Sequence, residues 1–250
     1  MIIEIAVYSL EAAIIAQNAG ASRIELCSAP AEGGLTPSAA TLRLAKKYLN
    51  IPIHAMIRPR EGDFCYSVKE FETMLLDITA AGILGIDGIV TGILLKDGKV
   101  DAERMKMVIE AAGKMNMTFH RAFDMAVDPF EALESLIQCG VQRILTSGGK
   151  QTAFEGLPLI SQLVTKAAGR ITIMPGSGIN LHNVREIANH TGIKEMHLSA
   201  KKYSEGMMEY RNPAIAMGGN STVPEYELLL PDAEVISTIR NIFSTNTNCN

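Results

Sequence analysis

Glu25, Arg58 and His120 are the residues of this chain whose types and settings point most directly to chemistry. Each lies at or just past the end of a short aliphatic or β-branched run: Arg23 to Leu26, Ile53 to Ile57, and Met117 to His120. A partly desolvated carboxyl group acquires a raised pKa and works as a base or acid near neutrality, where imidazole also exchanges its proton. A guanidinium forks onto a carboxylate or phosphate. Together they read as equipment for acid/base work on a small anionic molecule, with Glu25 and His120 moving the proton and Arg58 holding the charge.

Two glycine-rich turns add to this reading. Gly176, Ser177 and Gly178 follow the run ending at Met174, and Ser147 and Gly148 follow the run ending at Thr146. Such turns bare backbone N–H groups to a phosphate, although a plain strand-to-helix turn needs the same glycines. Other polar side chains accompany them, among them Arg60, Asp63, Arg121 and Asp124. Arg121 and Asp124 are close enough in sequence to hold each other. Glu4 reads as a structural ion-pair member, Asp87 fits a strand entrance, and His197 fits a pocket wall or a satisfied core position.

Soft metal ligands are sparse. Cys27, Cys65, Cys139 and Cys249 lack CxxC spacing, as expected of reduced thiols. Cys27 and Cys65 form the best available soft pair, on neighbouring loops, for a metal such as Cu(I). Free cysteine also serves as a small buried hydrophobe. The methionines at 105, 107, 115 and 117 are spaced by two, which does not bring side chains together on a helix, and they read as core filler.

What must position these groups is an alternation of strands and helices. The strand runs are Ile2 to Val7, Arg23 to Leu26, Ile53 to Ile57, Gly88 to Val90, Met117 to His120, Arg143 to Thr146, Ile171 to Met174 and Glu195 to Leu198. Helix starts are signalled by the Ser67/Glu70 capping box, by Thr36-Pro37 and Asp128-Pro129, and by Asp101 and Asp232. Gly20, Gly82, Gly140 and Gly192 mark helix ends, and a seventh helix starting near Asn180 carries His182 and His190. Eight β/α units with no dividing linker predict one domain over residues 1–250, a (β/α)8 TIM barrel with its site at the C-terminal ends of the strands. Asp97-Gly98 predicts a small hairpin turn in the fourth loop.

Of the 250 residues 20% are charged and 47% hydrophobic, with a formal net charge of -4. No basic cluster offers a footprint for nucleic acid, and no apolar run is long enough to span a membrane. The amino terminus lacks a basic leader and a cleavage site, so a cytoplasmic location is expected.

Several of these stretches belong together. Glu25-Leu26-Cys27, Glu32 to Ser38, Met56 to Arg60 continuing to Asp63-Phe64-Cys65-Tyr66-Ser67, Thr91-Gly92, Thr118 to Asp124, Leu145 to Gly148 and Tyr210-Arg211-Asn212 make a set that resembles the CutC family over nearly the whole chain. One departure is Glu61, where the family commonly has glycine. The resemblance implies a cytosolic barrel, a homodimer, and a link by name to copper homeostasis, with copper binding as an implied property. The segment from Tyr203 to Tyr226 is the expected contact surface. The rival reading from the residues alone is a barrel enzyme acting on a small phosphorylated or carboxylated substrate, and a non-catalytic binding protein is a third.

Overall fold

The computed structural model describes residues 1–212, 214–215 and 224–244. Eight short parallel strands form its centre: β1 (Ile2–Val7), β2 (Arg23–Leu26), β3 (Ile53–Met56), β4 (Gly88–Thr91), β5 (Asn116–Phe119), β6 (Arg143–Thr146), β7 (Thr172–Pro175) and β8 (Glu195–Leu198). They pair in chain order from β1 to β7, and β8 returns to pair with β1. β7 and β8 close the ring by lying side by side without a hydrogen-bonded ladder. The helices α1 (Leu10–Ala19), α2 (Ala39–Tyr48), α3 (Val68–Ile83), α4 (Ala102–Ala112), α5 (Pro129–Cys139), α6 (Leu157–Ala167), α7 (Val184–Thr191) and α8 (Ala233–Ser244) make the outer layer. This is the expected (β/α)8 TIM barrel.

Strand alternation sorts the side chains into two environments. Ile3, Ile5, Ile24, Leu26, Ile89, Phe119 and Ile144 point outward into one large apolar core shared with the helices. That shell is where most of the apolar burial lies. Inside the ring, a separate apolar cluster consists of Cys27, Met56 and Val90, with Tyr8 packed against it. Most of the remaining interior positions are polar or glycine.

Low in the barrel these polar groups pair off. Arg23 donates from Nε to Glu4 at 2.5 Å and from Nη2 to Glu195 at 2.6 Å, while Arg143 donates from Nε and Nη2 to Glu195 at 2.5 and 3.0 Å. Charges taken out of water persist only when so paired. Glu4 thus has the structural partners expected of it. Asp87 sits at the strand entrance, where it accepts from Lys46 and from the Ile53 N–H.

Helix boundaries differ from the sequence reading at three points. Ser38, not Thr36, caps α2 by accepting from the Thr41 N–H, because the Thr36 hydroxyl is engaged with the backbone of Arg58. Gly82 lies within α3, and the left-handed residue after that helix is Gly85. α7 begins at Val184, so His182 lies in the preceding turn and only His190 is helical. The Ser67/Glu70 box is complete, Asp101, Asp128 and Asp232 accept at their helix starts, and Gly20, Gly140 and Gly192 are left-handed caps. Beyond β8, β9 (Lys201–Glu205) and β10 (Glu227–Pro231) form an antiparallel ribbon. The expected contact segment from Tyr203 to Tyr226 lies partly outside the described residues, and Cys249 lies wholly outside them.

Candidate functional site

A cavity of about 440 Å³ opens at the C-terminal ends of the strands, and Glu25, Arg58 and His120 all line it. Their exposures of 4%, 7% and 4% show that they form its wall rather than its rim. Glu25 rises from β2, Arg58 follows β3 and His120 follows β5, each one position pair above an inward-facing residue of its own strand. The chain brings together three residues spread over nearly a hundred positions because strand parity and the ring leave them nowhere else to point.

Glu25 is held in an apolar and acidic setting. Burial, with Glu4 nearby, raises its pKa, against a lowering influence from His197. One oxygen accepts from the Cys27 thiol at 3.5 Å and stands 3.7 Å from His197 Nε2; the other, Oε1, has no partner. That is a carboxyl whose pKa is shifted in the direction that proton transfer favours.

His120 does not exchange a proton near neutral pH as the sequence reading expected. Burial, and then the Arg58 cation, push its pKa down to about 3. Its Nδ1 accepts from the Ala122 N–H at 3.2 Å, so the neutral ring carries its proton on Nε2, which has no partner. The ring fits against the barrel because position 92 is glycine; a Cβ there would stand 2.7 Å from the imidazole. His120 is therefore a neutral hydrogen-bond donor.

Arg58 likewise differs from expectation. Its Nη1 donates to the carbonyls of Glu32 and Gly34 at 2.6 and 3.2 Å, and Nη2 donates to that of Gly62 at 3.1 Å. The fork is thus spent on the second and third loops and stacks over Phe64, leaving the buried Nε without a partner. Arg58 supplies a fixed charge and one donor rather than a bidentate clamp.

The two glycine-rich turns part company. Asp124 fills the turn after β6: its carboxylate accepts from the N–H groups of Ser147 and Gly149, while the Gly148 N–H goes to the Thr146 hydroxyl. Ser147 and Gly148 therefore do not receive an outside anion. After β7, by contrast, the N–H groups of Ser177, Gly178 and Ile179 have no acceptor among the described residues, and all three residues line the cavity. Ser177 and Gly178 both have positive φ, and the Ser177 hydroxyl is tied to the Gln151 carbonyl at 2.7 Å.

Arg121 lines the cavity and is steadied by Asp124 at 2.8 Å and the Ser147 hydroxyl at 2.8 Å. Arg60 and Asp63 do not line it; with Glu70 they brace the third loop onto the start of α3. The positive φ of that loop falls at Gly62, so Glu61 meets no backbone requirement for glycine. His197 both lines the cavity and bonds through Nδ1 to Glu4 at 2.8 Å. Burial tends to lower its pKa, but Glu25 and Glu4 outweigh that and hold it above the ordinary histidine range. Tyr8, Ser199 and Lys201 also line the wall. Tyr8 was legible in principle, since it continues the inward parity of Glu4 and Ala6.

The thiols do not make a soft-metal centre at the mouth. Cys27 is buried beside Met56, and burial followed by Glu25 holds its thiol well above the usual range, so it stays protonated. Cys65 lies on a different cleft, with Phe64, Leu94 and Met125. Neither lines the mouth cavity. Cu(I) calls for thiolate or thioether ligands, and this arrangement does not fit a Cys27–Cys65 pair. Among the described residues Glu4, Glu25 and His197 come within 4.8 Å of one another at ligating atoms. However, the Glu4 oxygens are already taken up by Arg23 and His197.

The sequence pattern of the CutC family matches residues 1–202, which contain every cavity-lining residue named above. The chain belongs to the CutC family. A CutC family protein of Mesorhizobium japonicum is 47% identical over 94% of this chain and 92% of its own. The human copper homeostasis protein cutC homolog is 44% identical over 96% of this chain and 88% of its own. A crystal structure of CutC from Streptococcus agalactiae superposes with a TM-score of 0.76 at 33% identity, covering 80% of this CutC-family chain and 98% of that one. Phosphoribosyl anthranilate isomerase from Thermotoga maritima, at 14% identity and a TM-score of 0.60 over 98% of this chain and 100% of its own, shares the fold alone.

Proposed function

We propose that this CutC-family protein is a barrel catalyst that moves a proton to or from a small anionic molecule held at its mouth. The observation that carries the reading is the convergence of Glu25, Arg58 and His120 on one cavity. Glu25, with His197 beside it, handles the proton as the sequence reading had it, while two roles are revised: His120 donates a hydrogen bond as a neutral ring, and Arg58 supplies a fixed charge rather than a clamp. The anionic group sits at the N–H groups of Ser177 to Ile179, with Lys201 on the same wall. On this reading the partner is a small phosphorylated or carboxylated molecule and the protein works as a cytoplasmic homodimer.

Copper ion binding is the second reading. The human and mouse relatives are named for copper homeostasis, and the Cys27 thiol packs with the Met56 side chain. A phosphorus NMR titration with inorganic phosphate, run beside a competition assay with Cu(I), separates the two. Saturable millimolar phosphate binding that is lost in Gly178→Ala is the expected result; a Cβ there would stand 2.7 Å from Thr152 Cγ2 and displace the loop. A folded wild-type protein that ignores phosphate but binds Cu(I) stoichiometrically, with loss on Cys27→Ser, would replace this reading with the metal one.

A further inference from the structure

Among the described residues five buried side-chain polar atoms lack a hydrogen-bond partner, and three of them, Glu25 Oε1, Arg58 Nε and His120 Nε2, belong to residues lining the mouth cavity. Leaving such an atom unpaired is costly, and native folds tolerate few of them. Their residues line one cavity, and the chemistry of the three atoms is complementary: one proton carrier and two N–H donors. The His120 imidazole is held neutral with its proton on Nε2, so it is a donor there.

We infer that the site enolises an α-hydroxy carbonyl compound bearing a phosphate, with the carbonyl oxygen received by Arg58 Nε and His120 Nε2 and the carbon-bound proton by Glu25. This deepens the proposed function and rests on it. The Glu25 carboxylate removes the proton from the carbon beside the carbonyl. The C–H electron pair becomes the C=C bond, and the carbonyl π pair moves onto oxygen. The resulting enediolate is stabilised by two donors fixed in advance, which is worth most in a site shielded from water. Glu25 then returns the proton to the neighbouring carbon as the hydroxyl proton passes between the two oxygens. An α-hydroxy aldehyde becomes an α-hydroxy ketone, with no outside oxidant or reductant.

The supporting features are independent of one another. The Arg58 Nη groups are anchored to three loop carbonyls, which fixes where Nε lies. Asp124 has taken the N–H groups after β6, so the phosphate is directed to the turn after β7, where Ser177, Gly178 and Ile179 keep theirs. The cavity of about 440 Å³ accommodates a sugar phosphate of a few carbons.

The test is calorimetric binding of phosphoglycolohydroxamate, which joins a phosphate to a planar pair of oxygens resembling the enediolate, compared with inorganic phosphate on the full chain. Wild-type protein should bind the hydroxamate about a hundredfold more tightly than phosphate. Glu25→Gln and His120→Asn should each lose about tenfold or more of that preference while binding phosphate as before, a pattern that misfolding would not produce. If phosphate binds and the hydroxamate binds no better, or if both variants keep the full preference, this inference falls and the proton-transfer reading stands. If wild-type protein binds neither, both fall.

Discussion

The His120 ring carries its proton on Nε2 because Nδ1 is already engaged by the Ala122 N–H, and burial keeps a second proton off. Its neighbour across the cavity behaves in the opposite way: the carboxylates of Glu4 and Glu25 hold His197 protonated beyond the ordinary range. Proton NMR of the two rings checks this directly. The His120 ring resonances should stay flat from about pH 8 down to pH 5, since its pKa is pushed down to about 3. His197 should titrate above the usual histidine midpoint of about 6.5. A His120 titration near neutrality would restore it to the acid/base role and remove it as a fixed donor.

The third β/α unit shows how the elements serve the site. The Ser67 hydroxyl accepts from the Glu70 N–H, Glu70 reaches back to the Ser67 N–H, and the same Glu70 carboxylate receives Arg60 from the third loop. The cap therefore anchors the loop that carries the Arg58 contacts as well as starting α3. Ser67→Ala should cost about 1 kcal/mol of stability in a urea titration, with a loosened third loop seen as faster hydrogen exchange at Gly62 and Asp63. This unit was readable in the sequence because its signals are local, as were the strands, whose outward positions are almost all aliphatic. Thr36 was misread because its hydroxyl is claimed by Arg58, 22 residues away. Asp124 filling the turn after β6 was hidden for the same reason, since its partners lie 23 residues on. Inward parity made Glu25, Arg58 and His120 legible as neighbours at the barrel mouth, where they line one cavity; what each nitrogen and oxygen was free to do was decided by partners from other strands.

Taken whole, the barrel is apolar outside its sheet and largely ionic at its base. Arg23 joins Glu4 to Glu195, and Arg143, on β6, joins the same Glu195 from its other side. Such a network adds little net stability over well-packed hydrophobes, but removing one member strands the rest. Arg23→Leu should therefore cost about 3–5 kcal/mol, read as a lowered midpoint in chemical denaturation, and should also disturb the mouth, because Glu4 would turn its full charge on His197. A variant as stable as the parent would show that the base is not held by these charges.

That plugged base has one more result. Glu4, Arg23, Arg143 and Glu195 are all buried, so among the described residues the base of the tube is filled by paired charges and the cavity opens at the opposite end. On the proposed reading, a molecule received at the mouth would enter and leave by that same end of the barrel.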